Sequence, residues 1–144
     1  MIRVDESTVL DAPVGRVWSV IRDFNGHEDW HPAIARSAIE EGRSGDAVGC
    51  VRAFTLQGGE TLREQLLMLC DRTYRYSYRI LQSDVPLLDY VAHVELRPVT
   101  ASDRTFWRWH SRFRAPPGRE AELEAVVRDG VYRAGFEAVR AMVE

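Results

Sequence analysis

The chain has only two cysteines, no apolar run long enough to cross a membrane and no surplus of positive charge. Cys50 and Cys70 both fall in strand-like apolar segments, where a free thiol behaves as a small buried hydrophobe. A disulfide scaffold and a reactive thiol are therefore set aside. A membrane helix needs ~20 consecutive apolar residues, and nothing here approaches that, so no membrane insertion is expected. The opening MIRVDESTVL lacks the basic-then-apolar layout of a secretory signal, which favours a cytoplasmic location. With 19 basic against 22 acidic residues and a net charge of −3, there is no electrostatic case for nucleic acid. The expected partner is a small molecule. Repeats, linkers and low-complexity tracts are absent as well.

What remains is a chain of 144 residues, 45% hydrophobic and 28% charged, which is near the commonest domain size. One domain, residues 1–144, is expected. MIRVDESTVL reads as a strand. In DAPVGRVWSVIRDF, Pro13 stands at a helix start, Asp11 is placed to cap it, and Val14, Val17, Trp18 and Ile21 follow helical spacing. Alternating segments follow at roughly 34–40, 48–57, 61–70, 73–81, 88–97 and 104–114, which is hairpin spacing for one antiparallel sheet. From Arg119 to Val143 a helical stripe carries Leu123, Val127, Val131, Ala134, Ala138 and Met142. Gly130 and Gly135 lie inside that helix and mark candidate points of close approach. The class is α+β: a curved antiparallel sheet wrapped around a long C-terminal helix, with two short helices after the first strand and a cavity between sheet and helix.

The phase of each alternation identifies the inward face. Val48, Cys50, Phe54 and Leu56 share a phase with Arg52, and Leu62, Leu66, Met68 and Cys70 share one with Glu64. If the QGGE connection makes a three-residue hairpin loop, Arg52 lies directly across from Glu64; only an odd loop lets both inner faces agree. Such a pair could orient a polar substrate group or transfer a proton, or it could be a satisfied ion pair closing one end of the barrel. The residues alone leave both open. Tyr74, Tyr76, Tyr78 and Ile80 continue the lining, as do Tyr90, Ala92, Val94 and Leu96, then Trp107, Trp109, Ser111 and Phe113. Candidate ligand-binding residues are Phe54, Leu66, Tyr76, Tyr78, Tyr90, Trp107, Trp109 and Val131. Aromatics with hydroxyl tips suit a largely apolar ligand carrying a few oxygens. The opposite row of Arg104, Arg108, His110 and Arg112 reads as a solvated, salt-bridged sheet face.

The stretch HEDWH, His27–His31, matches the H-E-x-x-H pattern of zinc proteases. That chemistry needs both histidines on one continuous helix and a third ligand. Asn25-Gly26 interrupts the chain before the motif, and Pro32 pushes His31 out of helical geometry after it. No metal is expected. His27 and His31 are expected at the surface or the pocket rim, either of them able to serve as an acid or base, with Trp30 anchoring a short second helix.

The segments APVGRVWSVIRDFNGHEDWHPAI, GCVRAF, LREQLLMLCD, YSYRIL and DYVAHVEL, in that order and followed by the terminal helix, resemble the START-like helix-grip (SRPBCC) superfamily. The resemblance spans nearly the whole chain and is nearest to the polyketide cyclase/dehydrase and lipid transport group. Within it the chain is similar to the lachrymatory-factor-synthase branch and, more distantly, to the abscisic acid receptors. The resemblance implies functional roles for Arg52, holding a substrate oxygen, and Glu64, shuttling a proton, with Tyr78 and Tyr90 in the pocket. The short QGGE hairpin lacks the longer, proline-bearing gate loop of the receptors, so hormone-gated partner binding is not implied.

The leading expectation is a protein that binds a small, mostly apolar ligand between the sheet and the C-terminal helix. The alternative is an enzyme of isomerase, cyclase or dehydratase type, free of any cofactor, with Arg52 and Glu64 as its catalytic residues. A homodimer without ligand is the third reading, which a cavity filled entirely by side chains would support.

Overall fold

In the computed structural model, which describes residues 1–144, seven antiparallel strands form one sheet in the order β1-β7-β6-β5-β4-β3-β2. The strands are β1 (Ile2–Leu10), β2 (Ile34–Ile39), β3 (Val51–Leu56), β4 (Thr61–Cys70), β5 (Arg75–Ser83), β6 (Leu88–Val99) and β7 (Arg104–Arg114). Helices α1 (Val14–Ile21) and α2 (His27–Trp30) separate β1 from β2, and the chain ends in a long helix packed on the sheet. This is the helix-grip arrangement that the order of periodic segments predicts.

Local chemistry accounts for most boundaries. Pro13 takes the N-cap position of α1 in extended backbone, and no side chain caps the helix; Asp11 does not take that role. The carbonyl before it, that of Ala12, accepts from Thr105 Oγ1 at 2.7 Å instead. Val17, Trp18 and Ile21 are buried, as the spacing requires, and Trp18 Nε1 donates to Asp71 Oδ1 at 2.8 Å to tie α1 to the β4–β5 turn. On the outer face Arg108 pairs with Asp5 at 2.6 Å, the salt-bridged surface that the charge pattern suggests.

Four register shifts interrupt the ladders: one between β2 and β3, one between β6 and β7, and two between β4 and β5. Pairing runs Leu62 with Ser83, Arg63 with Gln82, then Glu64 with Ile80, so Leu81 is an extra residue in β5. Leu66 pairs with Tyr78 and Met68 with Ser77, so Leu67 is an extra residue in β4. An unpaired extra residue increases local twist and bends its strand. It also switches faces: beyond Leu67 it is Leu69, opposite Tyr76, that packs on the core. The expected inward phase of Met68 and Cys70 is therefore wrong, because the extra residue Leu67 reverses the alternation beyond it. Val48, expected inward, is 56% exposed because β3 begins only at Val51.

The terminal helix is likewise interrupted. Residues Glu120–Ala125 and Ala134–Val143 are α-helical, but Val126–Arg133 form a π-helix. A π segment fits one more residue into the turn than an α-helix does. Leu123 and Val127 are buried as expected, but the next buried positions are Tyr132, Gly135, Phe136, Val139 and Val143. Beyond the π segment, Ala134, Ala138 and Met142 each stand one residue short of the buried stripe, and Met142 is 47% exposed. Gly135 does mark a close approach: a Cβ there would lie 2.9 Å from Trp109 Cζ3 and 3.2 Å from Trp30 Cζ3. Gly130 has open space around it.

Candidate functional site

The sheet and the terminal helix leave a cavity of about 90 Å³ between them, so side chains do not fill the interior. Its wall takes residues from α2 and the turn after it, from β2 to β7 and from the π segment, together with Val85 and Leu87 of the β5–β6 loop. Sixteen of the 20 lining residues are hydrophobic. The polar exceptions therefore decide what the site can do.

Arg52 and Glu64 are directly opposite in the β3–β4 register, and both face the cavity at 5% exposure. The turn places them there: Leu56 N–H donates to Glu60 O at 2.8 Å, closing a three-residue loop, Gln57 to Gly59. Arg52 donates to Glu64 Oε1 from Nε at 2.9 Å and approaches the same oxygen with Nη2 at 2.7 Å. A third bond runs from Nη1 to Phe24 O at 2.7 Å, and the guanidinium lies over the Phe24 ring, 3.9 Å from its centroid. These contacts compensate the buried cation and leave two of its five N–H groups without a protein acceptor. Glu64 Oε2 has no partner in the protein. Burial pushes the Glu64 carboxyl above its ordinary range, outweighing the pull of Arg52, whereas Arg52 beside Glu64 stays charged.

Of the other residues expected in the lining, Phe54, Tyr76, Tyr78, Tyr90, Trp109 and Val131 are there. Leu66 and Trp107 are not: both are fully buried at 0% exposure in the core behind the wall, where inward phase does not mean contact with the cavity. Trp107 stacks on Trp109 at 5.8 Å. Burial pushes the Tyr76 hydroxyl up to about 12 and those of Tyr78 and Tyr90 well above the ordinary tyrosine range, so all three stay protonated. Trp109 Nε1 donates to Tyr78 Oη at 3.2 Å, and the hydroxyls of Tyr90 and Tyr132 are hydrogen-bonded at 2.6 Å. Tyr132, unmarked in the sequence pattern, thus holds a wall residue from the terminal helix.

The histidines are the main surprise. His27 and His31 are buried, at 6% and 5% exposure, and line the cavity instead of sitting at the surface or the rim. The helix between them lasts four residues, as the flanking glycine and proline suggest. His27 Nε2 lies 3.0 Å from Ser37 Oγ and His31 Nε2 lies 2.8 Å from Val131 O. No set of three His, Cys, Asp or Glu side chains is arranged to hold a metal ion. Burial and the charge of Arg52 hold both rings below the ordinary histidine pKa, His27 far below it. Ile34, Leu56, Leu62, Val85, Leu87, Val126 and Val127 also line the cavity beyond those expected.

Comparison with solved structures gives the same fold throughout. The protein XoxI of Bacillus cereus superimposes with a TM-score of 0.88 at 25% identity, over 99% of this chain and 96% of that one. A protein of Nitrosospira multiformis does so with a TM-score of 0.80 at 29% identity, over 99% and 97%. Among characterised relatives, the abscisic acid receptor PYL7 of Arabidopsis thaliana is 28% identical over 100 residues. That match covers 67% of this chain and 46% of the receptor, so the chain spans about half the length of this relative. No helix is long and apolar enough to cross a membrane. Residues 1–144 match the family described as polyketide cyclase / dehydrase and lipid transport, and the chain belongs to that family.

Proposed function

We propose that residues 1–144 form one binding unit for a small, mostly apolar molecule, held in the cavity between the sheet and the C-terminal helix. The observation that carries this is an apolar cavity with a buried, unevenly satisfied ion pair in its wall. Ligand pockets combine an apolar lining with a few fixed polar groups in this way. Arg52 and Glu64 supply orientation, and the tyrosines and Trp109 supply contact area. At about 90 Å³ the cavity is well below the ~300–1,000 Å³ of drug-sized sites, so the occupant is small or enters as the walls part. The similarity to a relative named as a receptor for abscisic acid supports the reading of a small-molecule site.

Native mass spectrometry of the purified protein tests it. A stoichiometric organic mass is expected, and it should be absent from Val131→Trp, whose side chain fills the cavity. A bare protein that also binds nothing in an NMR screen of small aromatic fragments would sink the reading.

A second reading, a cofactor-free isomerase, cyclase or dehydratase, is favoured by one observation: the free Oε2 of Glu64 on a carboxyl whose pKa burial raises. Glu64→Gln separates the two. A carrier retains its ligand with altered affinity, whereas an enzyme keeps binding and loses turnover.

A further inference from the structure

His27 lines the cavity, and its hydrogen bonds fix which ring nitrogen is free. Ser37 has one hydroxyl proton, which Oγ gives to Asn25 Oδ1 at 2.7 Å. The 3.0 Å contact between Ser37 Oγ and His27 Nε2 is therefore donated by the ring. In a neutral imidazole this leaves Nδ1 as a lone-pair acceptor. His31 has no such reserve, because its Nδ1 accepts from Ala33 N–H at 3.1 Å and its Nε2 donates to Val131 O at 2.8 Å.

The polar atoms sealed in the interior without a partner are Trp30 Nε1, Trp107 Nε1 and Ser111 Oγ. His27 Nδ1 and Glu64 Oε2 lack partners too, but neither is sealed. Both side chains are more than nine-tenths buried and line the cavity, so the open space they meet is the cavity itself.

Charge narrows the choice further. The Arg52 cation is matched by Glu64, and burial together with Arg52 keeps His27 neutral. The wall thus carries no net charge, two unused acceptors and the guanidinium N–H groups not bound to Glu64 or Phe24. A carboxylate entering this space would leave a buried charge uncompensated, next to the free oxygen of Glu64. A hydroxyl satisfies both kinds of group at once.

We propose that the cavity selects a small neutral hydroxyl compound, an alcohol, phenol or enol, whose O–H donates to Nδ1 of His27 while its oxygen accepts from Arg52, and that it excludes carboxylates. The inference rests on the cavity-binding reading above and adds His27 as the residue that sets specificity.

Three probes that share one phenyl ring test it on the full chain: toluene, benzyl alcohol and benzoate, titrated while the backbone amides and the imidazole nitrogens are followed by NMR. Benzyl alcohol should bind about tenfold tighter than toluene, the effect of one well-placed hydrogen bond. It should also shift the His27 Nδ1 resonance as that lone pair is engaged. Benzoate should bind on the order of a hundredfold more weakly than the alcohol. In His27→Phe the preference for the alcohol over toluene should fall to about one, read as the ratio of the two affinities within that variant. If that variant fails to fold, the wild-type nitrogen shift decides. Equal binding of toluene and alcohol, equal binding of benzoate, or an unmoved Nδ1 resonance overturns the proposal and leaves the cavity reading standing. If none of the three probes moves cavity resonances, the cavity reading falls and the proposal with it.

Discussion

His31 and Val131 are 100 residues apart in sequence, yet the imidazole Nε2 of one donates to the carbonyl of the other at 2.8 Å. With Nδ1 accepting from Ala33 N–H, the ring joins the turn after α2 to the π segment of the terminal helix. Both of its partners are backbone groups, so the bond holds the cavity's two walls at a fixed separation.

A pH dependence follows. Folding lowers the pKa of His31, and of His27 by more, so between those values and the ordinary 6.5 the unfolded chain binds more protons than the folded one. The stability these rings confer is complete above about pH 6.5 and is lost as pH falls through the folded values. Urea midpoints measured from pH 8 to pH 5 should decline on the acid side. His31→Gln should flatten part of that slope, while a slope unchanged in the variant would show that the ring is not buried neutral.

Removing either member of the Arg52–Glu64 pair leaves an uncompensated buried charge and should cost ~3–5 kcal/mol. The double change Arg52→Met with Glu64→Leu should cost less than either single change, because no charge remains to be desolvated. Denaturant unfolding of the three variants measures this. Single-variant losses under about 1 kcal/mol would mean that the pair is solvated.

Two glycines of the terminal helix should respond with opposite signs. Gly135→Ala sets a methyl 2.9 Å from Trp109 Cζ3 and should destabilise the protein by ~1–3 kcal/mol. Gly130→Ala meets nothing within 4 Å and should gain ~0.5–1 kcal/mol from helix propensity and reduced freedom in the unfolded chain. Thermal melts side by side suffice.

The slipped stripe gives its own contrast. Phe136→Ala should cost ~3–5 kcal/mol and Met142→Ala under about 0.5 kcal/mol. Comparable losses would restore the uninterrupted α-helical phase and contradict the π segment.

Legibility in the sequence tracked regularity. β7 has no bulge inside it, and its alternation gave both ends and the inward set Trp107, Trp109, Ser111 and Phe113. Arg52 opposite Glu64 was readable because two apolar phases and one short loop overdetermine the register. Leu67, Leu81 and the π segment each insert one residue, and an insertion leaves no mark in a pattern of period two or 3.6 until a phase is seen to fail. Leu66 and Trp107 show a second limit: a pattern tells inside from outside but not wall from packing behind the wall. The inward position of His31 goes with a tertiary contact across 100 residues, which no local pattern encodes.

The π segment also bears on how positions in this chain are matched to those of other proteins. Residues before Val126 and after Arg133 belong to two helical registers offset by one position. A relative whose terminal helix is α throughout corresponds to this chain only with a one-residue gap somewhere in 126–133. Without that gap, every equivalence beyond it is off by one, and the relative's counterpart of Tyr132 is assigned to Val131 or Arg133. Roles carried across relatives for the last third of the helix must therefore be counted back from its C-terminal end.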